Sequence, residues 1–373
     1  MKRQFPRLTI NLSRLRQNML HVTELCHAAG IQVCGVIKGC GGLPTVARLF
    51  RLCGASELGS SRLEQIISCH EAGIPGPYLL LRVPMLSELE DVVRWCDTSL
   101  QSELSVLNAL EETCQRLDMT HRVIVMADLG DLREGFWNHD EMVEVCVHVE
   151  KNLPHVHLAG IGVNLGCYGS IQPTADKMKA LLTIAHHVEA RIGRKLEVIS
   201  GGASSSYTLV HWGTMPEGIN HLRIGETILN AHDLPYVWKI PNMGLRPDTM
   251  VLQAEVVEIK TKPTYPVGNI IIDAFGNKPT YEDRGFRKRC IVAIGRADVG
   301  DVEQLVPRDK GITVLGGSSD HCILDIEDCK RDLQVGDIVD FLLTYPNMLY
   351  ATARNDLPLH FTEDNGEDLA DLA

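Results

Sequence analysis

Residues Val33–Gly42 read VCGVIKGCGG, and the stretch after them, Pro44–Gly54, reads PTVARLFRLCG. The run Val33–Ile37 is apolar and rich in β-branched side chains, the pattern of a strand buried on both faces. Glycines then crowd around Lys38, so the chain either turns tightly there or lets a ligand approach the backbone. The next run opens on a proline suited to a first helical turn and closes on Gly54, as a helix does. A lysine delivered by a buried strand into a glycine-walled space is placed to have its pKa lowered by desolvation and to act as an amine nucleophile able to form a Schiff base. Read alone, the same stretch also suits a lysine that snorkels to water from a strand end.

The strand–loop–helix unit repeats. Apolar extended runs recur at Ser56–Gly59, Tyr78–Leu81, Thr98–Leu100, Arg122–Ala127, Leu158–Val163, Leu196–Ile199 and His221–Ile224. Amphipathic runs separate them, from Arg62 to Gly73, Ser87 to Arg94, Glu103 to Leu117, His139 to Val149 and Thr174 to Ile192. Strands alternating with helices imply a parallel sheet with right-handed crossovers. Eight such units in roughly 220 residues predict a (β/α)8 TIM barrel rather than an open doubly wound sheet. No GxGxxG follows the first strand, which leaves a Rossmann domain without its signature.

From Pro235 to Asp248 the chain reads PYVWKIPNMGLRPD, proline-rich and without helical period. Beyond it the pattern turns to β. Strands are expected at Val251–Ile259, Ile270–Ile272, Arg289–Ile294, Ile312–Leu315, Cys322–Ile326 and Ile338–Leu343, as in a small β-barrel or sandwich. The expected organisation is a barrel over residues 1–235, with residues 1–11 a candidate to pair with the second domain, and a C-terminal β-domain over residues 236–373. The last residues, TEDNGEDLADLA, read as a mobile acidic tail.

Composition narrows the function. A hydrophobic share of 45% and a charged share of 23% are those of a soluble globular protein. The formal net charge of −12 argues against nucleic acid or an anionic membrane as a partner. The 12 cysteines show no CxxC pair or zinc-type spacing, the opening MKRQFPRLTINL has no apolar leader core, and no run is long enough for a transmembrane helix. These features point to reduced, mostly buried thiols in a cytoplasmic protein, with no metal expected.

In a barrel, functional side chains belong in the loops after the strands. Polar, glycine-rich clusters stand there: GSSR (Gly59–Arg62), DLGDLREG (Asp128–Gly135), NLGCYGS (Asn164–Ser170), SGGASSS (Ser200–Ser206) and RIGET (Arg223–Thr227). The serine loop follows the seventh strand. Its backbone N–H groups and hydroxyls make an uncharged cradle for a phosphate, at the place where barrels usually bind one. Taken alone it is a flexible turn. Arg133 is either half of a solvated ion pair or an anchor that grips a carboxylate through paired N–H donors. Facing one another, Lys38, Arg133, Arg223 and the serine loop would form a cofactor site rather than a surface.

This order of motifs, from a strand-end lysine through DxGxxRxG, a serine loop and RxG to a β-domain, resembles the alanine racemase family of fold-type III pyridoxal-phosphate enzymes. DLGDLREGF, GVNLGCYG, SGGASSSY, DAFGNKP and LGGSSDH are similar to its ornithine racemase branch. The resemblance spans nearly the whole chain. It implies pyridoxal 5'-phosphate as cofactor, held by Lys38, which also serves as one acid/base. It implies Arg133 near the cofactor and the substrate carboxylate, and Gly202, Ser204, Ser205 and Gly225 at the phosphate. Arg223 is implied opposite the pyridine nitrogen; a guanidinium cannot accept the ring proton, which disfavours decarboxylation and transamination relative to returning the proton. A homodimer with composite active sites is implied as well.

Four positions depart from the family pattern. Gly42 replaces a phosphate-holding tyrosine, Asn164 a histidine and Met126 a lysine, while Phe275 stands in place of the tyrosine that is the second catalytic base. Phenylalanine cannot move a proton, and racemisation by two bases needs a group on each face of the α-carbon. Asp273, Tyr265, Tyr281 and the group Ser319, Asp320, His321, Cys322 are the alternatives, with Asp273 and Asp320 taken as the catalytic candidates beside Lys38. For a cationic substrate side chain the GRADVGD stretch supplies Asp298, and Asp320 and Arg133 complete the substrate set; Glu134, Asp301, Glu282 and Asp283 are further acidic residues. The expected function is an amino-acid racemase, an isomerase acting on ornithine first and on lysine or another basic amino acid next. A decarboxylase of a basic amino acid is the alternative that Arg223 opposes. A non-catalytic carrier of the cofactor is the alternative that the large second domain opposes.

Overall fold

The structure, a computed structural model, describes residues 4–364 apart from 242 and 274. It divides into two compact units. One runs from Leu15 to Leu245; the other joins the N-terminal residues up to Arg14 to the segment from Arg246 onward. The barrel unit thus continues past Pro235, where the change of pattern in the sequence had placed the boundary.

The chain opens with β1 (Arg7–Asn11) and α1 (Leu12–Ala28). Eight strand–helix pairs follow: β2 (Gln32–Val36) and α2 (Pro44–Leu52), β3 (Glu57–Ser60) and α3 (Leu63–Glu71), β4 (Tyr78–Leu80) and α4 (Leu89–Trp95), β5 (Thr98–Gln101) and α5 (Leu104–Leu117). Then come β6 (His121–Ala127) and α6 (His139–Asn152), β7 (Val156–Val163) and α7 (Ala175–Ile192), β8 (Val198–Ser200) and α8 (Tyr207–His211), and β9 (His221–Ile224) and α9 (Glu226–Leu229). Strands β2 to β9 form a closed parallel barrel in sequence order, sealed by β9 against β2. All eight expected strands are present, the seventh shifted to Val198–Ser200.

The barrel closes because its strands are apolar on both faces. With the two-residue period of a strand, Cys34, Val36, Leu79, Leu100, Ile124 and Met126 pack into one small cluster. Their alternates Val123, Val125, Ile161 and Val163 join the large cluster formed with the helices. Local signals place the helices. Asn138 caps α6 by accepting from the Asp140 N–H at 3.1 Å. Thr174 caps α7, which ends at Gly193 in the left-handed conformation, φ 78°.

The second unit contains β10 (Met250–Pro263), β11 (Phe286–Val292), α10 (Arg296–Val299), β12 (Val306–Pro307), β13 (Thr313–Gly317), β14 (Cys322–Asp325), β15 (Ile338–Leu342), α11 (Tyr345–Thr352) and β16 (Leu359–Thr362). They build one eight-stranded sheet with the path β12-β15-β10-β11-β14-β13; β1 adds to β10 antiparallel and to β16 parallel. The expected barrel or sandwich is therefore an eight-stranded sheet in which the long β10, bulged between Val256 and Glu258, pairs first with β15 and then with β11. Ile270–Ile272 is not a strand. It lies in the loop between β10 and β11, with Ile271 72% and Ile272 63% exposed, since an apolar run without a pairing partner has nothing to hold it extended. The start of the acidic tail is also tied down: Asp364 accepts from Asn11 Nδ2 at 2.9 Å and pairs with Arg14 at 3.2 Å. The rest of the tail, residues 365–373, lies outside the described residues.

Candidate active site

Strand β2 ends in a tight turn that carries Lys38, closed by the Gly41 N–H on the Lys38 carbonyl at 3.2 Å and the Gly42 N–H on the Ile37 carbonyl at 3.0 Å. Gly42 has φ +71°, and a Cβ there would lie 2.5 Å from Gln65 Cβ. The position admits no side chain, which explains why a tyrosine is absent. Lys38 is half-buried. Burial first, then the charge of Arg133 and to a lesser degree that of Arg223, lower its pKa, while Cys167 and Glu134 act the other way. The lowering by burial is the one expected for a lysine at the end of a buried strand.

Arg133 stands in the loop after β6, fixed from two sides. Glu134 accepts from its Nε and Nη2. The Asn164 amide, with its oxygen turned toward Arg133, accepts from both terminal nitrogens. Burial works against the Arg133 charge, but Glu134 more than offsets it and holds the guanidinium above its ordinary range. The same loop carries Asp131, 2% exposed. Its carboxylate accepts from the N–H groups of Gly166 at 3.1 Å, Cys167 at 3.2 Å, Tyr168 at 3.1 Å and Ile171 at 3.4 Å. A single buried carboxylate thus ties the loop after β7 to the loop after β6.

Arg223 is 4% exposed and sits opposite Cys34 in the β9–β2 pairing. Its Nη2 donates to the Val163 carbonyl at 2.8 Å and its Nη1 to the Ser200 hydroxyl. Burial lowers its pKa, with Cys34 and Glu134 opposing. A guanidinium only donates, so Ser200 accepts from Arg223 and turns its own proton to His221 Nδ1 at 2.7 Å. His221 then keeps its proton on Nε2 and donates to Glu57 Oε1 at 2.7 Å. The result is a hydrogen-bonded chain of one polarity, Arg223 to Ser200 to His221 to Glu57. Donor atoms of Cys34, Glu57 and His221 lie within 4.8 Å of one another. Burial raises the Cys34 thiol well above its ordinary range, and both His221 nitrogens are already committed, so the trio reads as barrel interior rather than as a metal centre.

In the serine loop the hydroxyls are largely spent on the fold. Ser204 Oγ accepts from the Gly225 N–H at 3.1 Å and the Thr227 N–H at 3.4 Å. Ser205 Oγ donates to the Leu165 carbonyl at 2.8 Å. Gly202 turns with φ +118°, and a Cβ there would lie 2.5 Å from Ser206 Oγ. Ser206 Oγ itself is buried and, among the described residues, has no partner. The backbone N–H groups of Gly202, Ala203 and Ser204 make none of the loop hydrogen bonds seen among the described residues. They are the donors free for an anion.

Eight predicted residues, Lys38, Arg133, Asn164, Gly202, Ser204, Ser205, Arg223 and Gly225, therefore fall in the barrel unit, in or directly after its strands. The other three lie in the second unit. Asp298 caps α10, accepting from the Gly295 N–H at 2.8 Å and facing Arg354 at 3.5 Å; it is buried and engaged within its own unit. Asp273 accepts from the N–H groups of Asn277 at 2.8 Å and Phe275 at 2.9 Å, and the first of these bonds leads in holding its carboxyl below the usual range. Asp320 is exposed and accepts from Ser319 Oγ at 2.6 Å. The Phe275 ring lies under the Arg296 guanidinium, 4.7 Å from its centre.

Sequence reading left Glu57, Asp131, Cys167, Ser200 and His221 unassigned. Cys167, Asp131 and Ser200 lay inside loops already singled out. Glu57 and His221 carry no loop signal, because they sit on strands and are recognised only once the barrel closes.

These residues fit pyridoxal phosphate: an amine with a lowered pKa for the aldehyde, a buried guanidinium that can only donate, and a turn whose free N–H groups suit a phosphate. A closed (β/α)8 barrel bearing that set, with a β-sheet unit beside it in the chain, defines a barrel protein of the racemase type. Residues 10–232 match the alanine racemase N-terminal domain, and the chain belongs to the alanine racemase family. It is 38% identical over 345 residues to the ornithine racemase of Acetoanaerobium sticklandii, covering 92% of this chain and 96% of that one. It is 40% identical over 347 residues to the lysine racemase of Thermotoga maritima, covering 93% and 96%. In fold it is similar to the alanine racemase of Clostridium difficile 630, with a TM-score of 0.72 at 21% identity over 98% and 97% of the two chains.

Proposed function

We propose that this protein is a pyridoxal-phosphate-dependent racemase that interconverts the L- and D-forms of ornithine, with lysine the next candidate substrate. The observation that carries the reading is the pairing of Lys38, its pKa lowered by burial, with Arg223, a buried guanidinium in the same site. Near-full-length similarity to an ornithine racemase and a lysine racemase supports it. When bound, the cofactor supplies the electron sink that acidifies the α-hydrogen of the amino acid. Lys38 Nζ holds or moves a proton at the α-carbon. Arg133, fixed by Glu134 and Asn164, orients the substrate carboxylate through paired N–H donors. The N–H groups of Gly202, Ala203 and Ser204 would hold the phosphate. Arg223 would face the pyridine nitrogen of the bound cofactor; a guanidinium can only donate a hydrogen bond and does not give up its proton there, so the ring nitrogen would stay unprotonated and the chemistry would be steered to proton return.

The reading includes a homodimer whose second copy completes the site, and a cytoplasmic setting. Supporting the latter, all twelve cysteines are free, and among the described residues no helix is long and apolar enough to cross a membrane.

The test is incubation of the purified protein with L-ornithine, L-lysine and L-alanine in deuterated water, following optical rotation and α-deuteration. Loss of rotation with deuterium uptake is expected, greatest for ornithine. Release of carbon dioxide would replace the reading with decarboxylation. Visible absorbance of bound cofactor should vanish in Lys38→Ala; a protein that never shows it would overturn the proposal.

A further inference from the structure

Racemisation by two bases needs a proton carrier on each side of the α-carbon. Lys38 is one. Phe275 has no proton to move, and Asp273 and Asp298 are bound up in their own turns. The barrel itself offers another carrier. Cys167 lies in the loop after β7, and of the twelve cysteines ten are buried and Cys329 is intermediate, while Cys167 is exposed. Its Sγ is 3.1 Å from the terminal amide atom of Asn164 that also faces Arg133. Its backbone is anchored by the buried Asp131, which takes the N–H groups on both sides of it as well as its own. The loop is therefore held rather than free.

The topology sets Cys167 apart from Lys38. Lys38 follows β2 and Cys167 follows β7; around the closed barrel β8 and β9 separate these strands on one side and β3 to β6 on the other. The two side chains come from well-separated sectors of the barrel. Arg223, on β9, comes from between them. The charged groups near enough to interact with the thiol are Lys38, Arg133 and Arg223, with Glu134 and Asp131 as the neighbouring anions.

We propose that Cys167 is the second acid/base of the racemisation, an inference that rests on the racemase reading. In one direction neutral Lys38 Nζ takes the α-proton and the Cys167 S–H gives its proton to the opposite face of the same carbon. The enzyme is left with an ammonium at 38 and a thiolate at 167. That pair runs the reverse direction, in which the thiolate takes the α-proton and the ammonium returns one, or is reset by proton exchange with water.

The test uses Cys167→Ala and Cys167→Ser on the cofactor-loaded protein, with cofactor absorbance as the check that each variant folds. Racemisation should fall by about 100-fold or more, the usual loss when one acid/base is removed. One enantiomer should still exchange its α-hydrogen for deuterium without inversion, through Lys38. Alkylation of the wild-type thiol by iodoacetamide, followed by mass, should be slowed by bound cofactor and slowed further by ornithine. Racemisation at the wild-type rate in Cys167→Ala would overturn the inference, as would an equal loss of exchange for both enantiomers or alkylation indifferent to both ligands. A wild-type protein that binds cofactor and racemises while Cys167→Ala does the same sinks this inference alone; a wild-type protein that does neither sinks the racemase reading first.

Discussion

His221 and Glu57 meet across the strand that separates them: Nε2 on β9 lies 2.7 Å from Oε1 on β3, with β2 between. Through Ser200 this pair ends the donor chain that begins at Arg223. Glu57→Ala leaves the His221 Nε2–H without its acceptor in a site 5% exposed, at an expected cost of about 1–3 kcal/mol. Glu57→Gln keeps an acceptor oxygen and should lose less. Urea denaturation of the two variants against wild type checks the order.

In the proposed function Arg223 steers the reaction. Arg223→Gln removes the only-donating group, leaving an amide that both donates and accepts. Racemisation should fall and side reactions of ornithine should rise, measured as carbon dioxide or keto acid formed per racemisation event. An unchanged ratio would remove Arg223 from this role.

Asp131 is expected to matter beyond its own loop. Asp131→Ala strips an acceptor from four backbone N–H groups. Bonds of this kind, to a charged group, are worth about 1.5–3 kcal/mol each and do not add simply. Hydrogen exchange should quicken at Gly166, Cys167, Tyr168 and Ile171 while β6 and β7 stay protected, and racemisation should drop with cofactor still bound. Uniform quickening across the barrel would instead mark a global loss of stability.

Much of this was legible in the sequence. The barrel strands are parallel and covered on both faces, so each appears as an apolar run; Lys38, Arg133 and Ser204 stand in the segments after such runs, and Arg223 stands within the last of them. What escaped depends on partners far along the chain. Glu57 and His221 look like ordinary strand-end polar residues until closure brings β3 and β9 to either side of β2. Ile270–Ile272 has the composition of a strand but no neighbour to pair with. Asp298 has the look of a binding residue in a glycine loop, yet its carboxylate is used on the Gly295 N–H three residues back.

Glu226, beside the proposed phosphate loop, gives a pH signature. Burial first and the Asp233 charge second push its carboxyl up to about 8, although the His232 and Asp233 N–H groups at 2.8 Å favour the anion. In the unfolded chain it titrates near about 4.3. The folded state therefore binds more protons between these values, so the contribution is full below the unfolded pKa and is lost as pH rises through the folded one. Urea midpoints of wild type should decline across that window more steeply than those of Glu226→Gln. Parallel curves would show that Glu226 is not the group responsible.

Strand β1 leaves the ribosome ahead of the barrel strands, but its partners come after them. Leu8 to Ile10 pair antiparallel with Met250–Leu252, and Leu8 to Asn11 pair parallel with Leu359–Thr362. While Leu15–Leu245 is being made, β1 has no strand to join. Its sheet can begin only with β10 and is sealed only by β16, so loop-closure entropy is paid over nearly the full chain. Assembly therefore divides in two: a barrel able to form from contacts local in sequence, and a sheet whose completion waits for β16.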